Sequence, residues 1–311
     1  MIENKEISKN ILATISYYDA FSYPLTAFEI WKYLIRMNYF EDDSSKNISL
    51  KLIIKEIKKE TLAKFISEKN GFYFLKGREG IVNERIENSK TSFLKNRRLK
   101  RVIKLLKYVP FIRMIGVTGR LSMKNAKSGS DWDLFIVIKD GRIWIGRTLI
   151  TIFAHIIGKR RHGIKIKDRV CLNYFVCEKS MEISMKDFYA ANEYFFMYPI
   201  FGWEVFKKFQ LKNGWISSIK TNYMPSEIEP QGIVKDNIFS RQVRFFGEIL
   251  FDWNFLEKFL RDIEKKKIML NPKTRQEGAF INASDDALVF LPELKGPRIF
   301  DEFKKRIENL G

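Results

Sequence analysis

Histidine and cysteine are nearly absent: the chain carries two of each in 311 residues. Cys171 and Cys177 stand six apart with no second pair, so neither a disulfide framework nor a zinc site is indicated, and both read as small buried hydrophobes. His155 and His162 make no catalytic constellation; His155 falls in an apolar helical stretch and reads as a core or lid residue. Long apolar runs are also missing. The longest, Ile143–Ile157, is interrupted by Arg147 and His155 and falls short of the roughly 20 residues that span a bilayer. It reads as a helix buried against a sheet, with a membrane-surface helix as the alternative. The opening MIENKEISKN holds no apolar leader, which gives the expectation of a cytoplasmic protein. Acids are short as well, 37 against 56 Lys and Arg, for a formal charge of +19. An excess of that sign favours polyanionic partners such as nucleic acid, nucleotides or an anionic membrane, although a lysine-rich proteome alone would also produce it.

What is present is globular. Hydrophobic residues make up 45% and aromatics 14%, enough for a sizeable core spread over two or three domains. Ile7, Ile11, Leu12 and Ile15 keep helical spacing over residues 5–20. Thr26 with Glu29 three residues on reads as a capping box opening a helix to about Met37. An acidic loop, Glu41–Ser45, leads to a third helix, Ser49–Lys64, and Asn70-Gly71 between apolar runs marks a hairpin. Three helices and then a hairpin resemble the order of a winged helix, a DNA-binding module, over residues 1–77.

Residues 78–109 form a basic helical connector without an acid from Lys90 to Arg113; residues 90–107 fit either a solvated linker helix or a phosphate-contacting surface. From 110 to 180 the pattern alternates: strand Ile112–Thr118, short helix Leu121–Ala126, strand Trp132–Ile138, helix Arg142–Ile157, basic loop Lys159–Arg169, strand Val170–Cys177. Residues 181–311 read as mainly helical. Segments 184–197 and 202–213 are separated by Pro199, a long helix spans Asp236–Lys267, a short strand falls within Ala279–Leu291, and Arg298–Leu310 closes the chain. Trp203, Trp215 and Trp253 fit helix packing better than base stacking. The fold class is α+β, with a central mixed sheet.

The segment GVTGRLSMKNAKSGSDWDLFIVI, Gly116–Ile138, carries the chemistry. Asp131 and Asp133 lie two apart at a strand start and project to one face. Side-by-side carboxylates call for a cation, and a hard, oxygen-seeking ion such as Mg²⁺ suits them. Gly119-Arg120, a short helix and then Ser130-Asp131-Trp132-Asp133-Leu134 resemble the nucleotidyltransferase superfamily of DNA polymerase beta and the minimal nucleotidyltransferases, over about seventy residues. The resemblance implies Mg²⁺ (or Mn²⁺) on Asp131 and Asp133, NTP phosphates cradled near Gly119, Arg120, Ser122 and Ser130, and transfer of a nucleotidyl group to RNA, protein or a small molecule with release of pyrophosphate.

Two positions depart from that family's pattern. Arg120 stands where the family has a phosphate-binding serine, with Ser122 as a substitute, and the third carboxylate falls on Asn173. The strand period sets Cys171, Asn173, Phe175 and Cys177 on one face, with Asn173 as its polar member facing the aspartates, or else bonded to backbone as a structural residue. Asp168 and Glu178 flank the strand as further carboxylates. The KRRH run, Lys159–His162, suits an acceptor polyanion or solvent equally. The rival function is a nucleic-acid-binding or nucleotide-sensing regulator whose transferase core no longer turns over.

Overall fold

The structure is a computed structural model that describes residues 2–37 and 48–309; the acidic loop Glu41–Ser45 lies outside them. Helix α1 (Ile2–Asp19) buries Ile7, Ile11, Ile15 and Tyr18. Strand β1 (Leu25–Thr26) then leads into α2 (Ala27–Lys32). The capping box is formed: Thr26 Oγ1 accepts from the Glu29 N–H, and the Thr26 N–H donates to the Glu29 carboxylate at 3.0 Å. Helix α2 ends at Lys32, five residues before the expected Met37. Ile35 instead forms a β-bridge to Lys220, and the Arg36 N–H donates to the Ile219 carbonyl.

The expected third helix is two, α3 (Leu50–Ile57) capped by Ser49 and α4 (Glu60–Ala63). Strands β2 (Ile66–Lys69) and β3 (Phe72–Leu75) meet at Asn70-Gly71, both with positive φ, which the left-handed hairpin turn requires. Strand β1 pairs with β3 on its other side, closing a three-stranded antiparallel sheet, β1-β3-β2. Helix α5 (Gly80–Leu106) is unbroken over 27 residues.

The central sheet has six strands in the order β7-β4-β5-β6-β9-β8. Strand β4 (Ile112–Val117) passes through α6 (Gly119–Ser122) into antiparallel β5 (Trp132–Ile138). Helix α7 (Ile143–Ile156) crosses over to β6 (Val170–Cys177), parallel to β5. Leu134, Ile136 and Ile138 pack on one face with Leu99, Ile103 and Leu106 of α5 and Ile150 of α7. Phe135 and Val137 pack on the other with Ala190 and Tyr194 of α8 (Phe188–Phe196) and Phe209 of α9 (Trp203–Lys212).

The C-terminal region supplies half of this sheet. Strand β7 (Tyr198–Phe201), between α8 and α9, contains Pro199 and pairs with β4 as an edge strand, the place in a sheet that tolerates a missing N–H. Beyond the short α10 (Ile216–Ile219), the expected long helix is two, α11 (Ile238–Phe251) and α12 (Asn254–Leu270), broken at Asp252-Trp253. The expected short strand is a hairpin, β8 (Phe280–Ala283) and β9 (Ala287–Leu291), laid against β6. Helix α13 (Lys295–Glu308) closes the chain against α1 and α8. The molecule is therefore α+β with one mixed sheet and one small antiparallel sheet. Among the described residues no helix is long and apolar enough to cross a membrane.

Candidate functional site

Asp131 and Asp133 sit where β5 begins, and the β4–α6 turn folds over them. Gly119 is the pivot of that turn. Its φ is +67°, and a Cβ there would lie 2.5 Å from Asp133 Oδ2. Only glycine fits both the conformation and the approach. Gly119→Ala is expected to lower stability by about 2 kcal/mol, read as a reduced urea midpoint with an unchanged slope.

The two aspartates converge with a residue that the sequence pattern assigned to packing. Strand β6 pairs Asp133 with Cys171, and the ligand atoms of Asp131, Asp133 and Cys171 all lie within 4.8 Å of one another. Between Asp133 and Phe135 the register shifts, so that two residues of β6, Leu172 and Asn173, are passed before Tyr174 pairs with Phe135. This irregularity breaks the alternation expected for the strand. Phe175 and Cys177 enter the core on the α7 side, while Tyr174 and Val176 face α8 and α9. Cys171, Asn173, Phe175 and Cys177 therefore do not share one face. Asn173 is half-buried and lines the same cavity as Asp133.

The electrostatics of the site are held open. Burial pushes the Asp133 carboxyl up to about 6, and the adjacent Asp131 adds to the push. Burial likewise pushes the Cys171 thiol up to about 12, with Asp133 and Asp131 adding to it, so at neutral pH it stays protonated. The cation beside the pair is Arg161 of the KRRH run, whose Nη1 lies 2.6 Å from Asp131 Oδ2 and 3.5 Å from Cys171 Sγ.

A further carboxylate arrives from α8, sixty residues downstream. Glu193 Oε1 accepts the Gly119 N–H at 2.7 Å, and Glu193 is hydrogen-bonded to Tyr189. Nothing in the local sequence pointed to Glu193; only the packing of α8 against the sheet brings it to the turn.

The remaining candidates are placed as follows. Ser122 is buried, its hydroxyl donating to the Gly119 carbonyl at 2.8 Å. The Ser130 hydroxyl donates to the Lys127 carbonyl at 2.9 Å. Arg120 is exposed, with no ion-pair partner among the described residues. Asp168 lies outside the Asp-Asp-Cys group: Lys95 Nζ and Arg98 Nη1 hold it at 2.9 and 2.6 Å. Burial alone would raise its carboxyl, and these two bonds reverse that, leaving it below its usual range. Glu178 follows the far end of β6, beside Arg113. His155 is exposed rather than in the core, and so is Trp253; Trp203 and Trp215 are partly buried against the cluster that holds Phe206 and Phe209.

Part of the basic helix turns inward. Lys95, 1% exposed, donates to the Ser130 carbonyl at 2.7 Å as well as to Asp168, and so braces the loop that delivers Asp131. Lys95→Met is expected to cost about 2–3 kcal/mol on a urea denaturation curve, because Asp168 loses its more buried partner and keeps only Arg98. Arg97, Arg101 and Lys104 remain exposed.

Two spaces open on the site. A cavity of about 160 Å³ lies over Asp133, lined by Asn173, Tyr174, Glu193, Tyr194 and Lys295. A groove of about 670 Å³ reaches Cys171 and Asn173 from the side of α7 and α12, with Arg160, Arg161, His162 and Lys267 in its walls. No family model, curated protein or solved structure matches the chain. The chemistry of the site therefore has to be read from its own geometry.

Proposed function

We propose that the chain is a nucleotidyltransferase of the DNA polymerase beta type, moving a nucleotidyl group from an NTP to an acceptor hydroxyl. The observation that carries the proposal is the pairing of the Asp131 and Asp133 carboxylates within 4.8 Å of each other beneath the Gly119 turn. It is supported by the order of a strand leading to Gly119, a short helix and a strand opening with Asp-x-Asp.

The donor chemistry partly fits Mg²⁺ or Mn²⁺. Two carboxylates suit a hard divalent ion; a protonated thiol does not. Asp131 and Asp133 would hold the ion, and once bound it would supply charge neutralisation at the phosphoryl oxygens. The chain's own residues do the rest. Gly119 leaves room above Asp133 for a phosphate to approach. Arg160, Arg161 and Lys267 give the groove the positive charge that a triphosphate requires. In the reaction, the acceptor oxygen forms a bond to the α-phosphorus, the bond to the pyrophosphate oxygen breaks, and the acceptor proton leaves to a base; Glu193 is a carboxylate in the separate cavity over Asp133.

The N-terminal region supports a winged-helix reading by its strand order and helix sequence. Lys51, Lys55 and Lys58 are exposed on and just after α3, the helix that would meet nucleic acid in that module.

A second reading, a regulator that binds nucleotide without turnover, is favoured by three contacts. Cys171 occupies the third corner, Arg161 already neutralises Asp131, and Glu193 occupies the Gly119 amide. Labelled NTPs with Mg²⁺ or Mn²⁺ and a panel of RNA, DNA and protein acceptors separate the two. Transfer that is lost in the Asp131→Asn/Asp133→Asn double variant establishes the transferase. NTP binding with no transfer to any acceptor establishes the regulator.

A further inference from the structure

The α11–α12 hairpin presents its apolar side chains to solvent. On α11, the side that packs on the body carries Ser240, Arg244, Gly247 and Glu248. The opposite side carries Phe239, Phe245, Phe246, Ile249 and Leu250, each more than half exposed. Trp253 at the break and Phe255 and Phe259 on α12 continue the surface, at 62%, 77% and 51% exposure. No other described element covers it. Large apolar side chains crowded at this exposure along one side of α11 mark a binding surface rather than ordinary surface composition.

The charges of the hairpin are sorted by direction. Four of its five acids anchor it inward. Glu248 binds Arg113 and the Phe111 N–H, and Asp252 binds Arg142 and Lys139. Glu257 accepts the N–H groups of Trp144 and Ile145, and Glu264 binds Thr148 and Arg147. Asp262 alone lies outside this set, beside Arg261. The bases Arg241, Lys258 and Lys266 are left exposed on the same two helices as the apolar side chains. Exposed aromatic and aliphatic residues accompanied by Lys and Arg are the composition of a helix that lies in the headgroup region of an anionic bilayer. A second copy of the chain would set two faces of the same positive charge against each other.

We infer that the α11–α12 hairpin docks the protein on an anionic membrane surface, with its aromatic side inserted among the headgroups and its lysines on the phosphates. This is independent of the transferase reading, since Phe246, Leu250, Arg241, Lys258 and Lys266 line neither the cavity over Asp133 nor the groove beside Cys171 that together form the candidate site.

Flotation of the full chain with vesicles of phosphatidylcholine and phosphatidylglycerol in equal parts, against phosphatidylcholine alone, tests it. The chain is expected to float with the anionic vesicles, weakly with the neutral ones, and less as salt rises. Phe246→Glu/Leu250→Glu is expected to weaken binding about a hundredfold, since both side chains leave the bilayer. Arg241→Gln/Lys258→Gln/Lys266→Gln is expected to weaken it about tenfold or more on anionic vesicles only. Circular dichroism and sedimentation velocity on each variant separate lost docking from lost folding. A wild-type chain that floats with neither vesicle, or equally with both, overturns the inference. So does a wild-type dimer in solution that Phe246→Glu/Leu250→Glu converts to monomer while vesicles capture nothing.

Discussion

Asp133→Asn is expected to raise the melting temperature and, on the transferase proposal, to abolish nucleotidyl transfer. Activity falls because one of the two hard ligands is lost; several kcal/mol of transition-state stabilisation corresponds to about a thousandfold in rate. Stability rises because the carboxylate is held against its own preference. Burial and Asp131 lift its folded-state pKa to about 6, above the value near 3.9 of an unfolded chain. The folded state therefore binds the proton more tightly than the unfolded state. In metal-free buffer, wild-type stability is expected to decline as pH rises from about 4 through about 6, and to stay reduced above that window. The amide has no such penalty, so at pH 8 in chelator the variant is expected to gain about 1–3 kcal/mol, a few degrees in melting temperature. Calorimetry across that range checks both halves. A residue kept for structure would show the opposite: its replacement would lower the melting temperature at every pH. A melting temperature that falls at pH 8 would remove Asp133 from the list of residues held for function.

The site was legible in the sequence where its chemistry is local. A glycine turn between two strands, and carboxylates two apart at a strand start, are set by periods of a few residues. The Thr26 cap and the Asn70-Gly71 turn were readable for the same reason. What escaped depends on partners far along the chain. Glu193 reaches the Gly119 amide only because α8 packs on one face of the sheet. The irregularity in β6 shifts its pairing against β5 after Cys171, so that Cys171 faces Asp133 while Phe175 and Cys177 turn to the opposite side, and a period-2 count cannot see an extra residue. Strand β7 was hidden by Pro199, which argues against a strand unless its edge position is known. The break at Asp252-Trp253 was hidden because the apolar period runs on through both helices. That period also says which residues share a side, but not whether that side meets the core or solvent.

The placement of Cys171 opposite Asp133 makes the second large prediction. Cys171→Asp is expected to convert the group into three carboxylates, since the Cγ of aspartate takes the place of Sγ beside Asp131 and Asp133. Without metal, a third acid in that space repels the other two, against which stand Arg161, paired with Asp131, and Lys295 in the cavity over Asp133. The variant is therefore expected to be less stable than the wild type in chelator, by about 2 kcal/mol, and to recover that loss when Mg²⁺ is added. Its Mg²⁺ affinity, followed by the rise of the melting temperature with ion concentration, is expected to increase about tenfold or more. If the thiol is what limits turnover, labelled-NTP transfer rises with it. Asn173→Asp is the comparison that makes this decisive. Asn173 lies in the irregular stretch, half-buried on the rim of both the cavity and the groove, two residues past the Cys171 that pairs with Asp133. A carboxylate there is expected to leave the Mg²⁺ response near that of the wild type. A gain that follows Asn173→Asp and not Cys171→Asp would show that the third corner is Asn173, and that the register of β6 does not determine the ligand set. A gain confined to Cys171→Asp would fix the corner at the residue opposite Asp133, and would make the thiol the feature that separates this chain from a transferase with a full set of three acids.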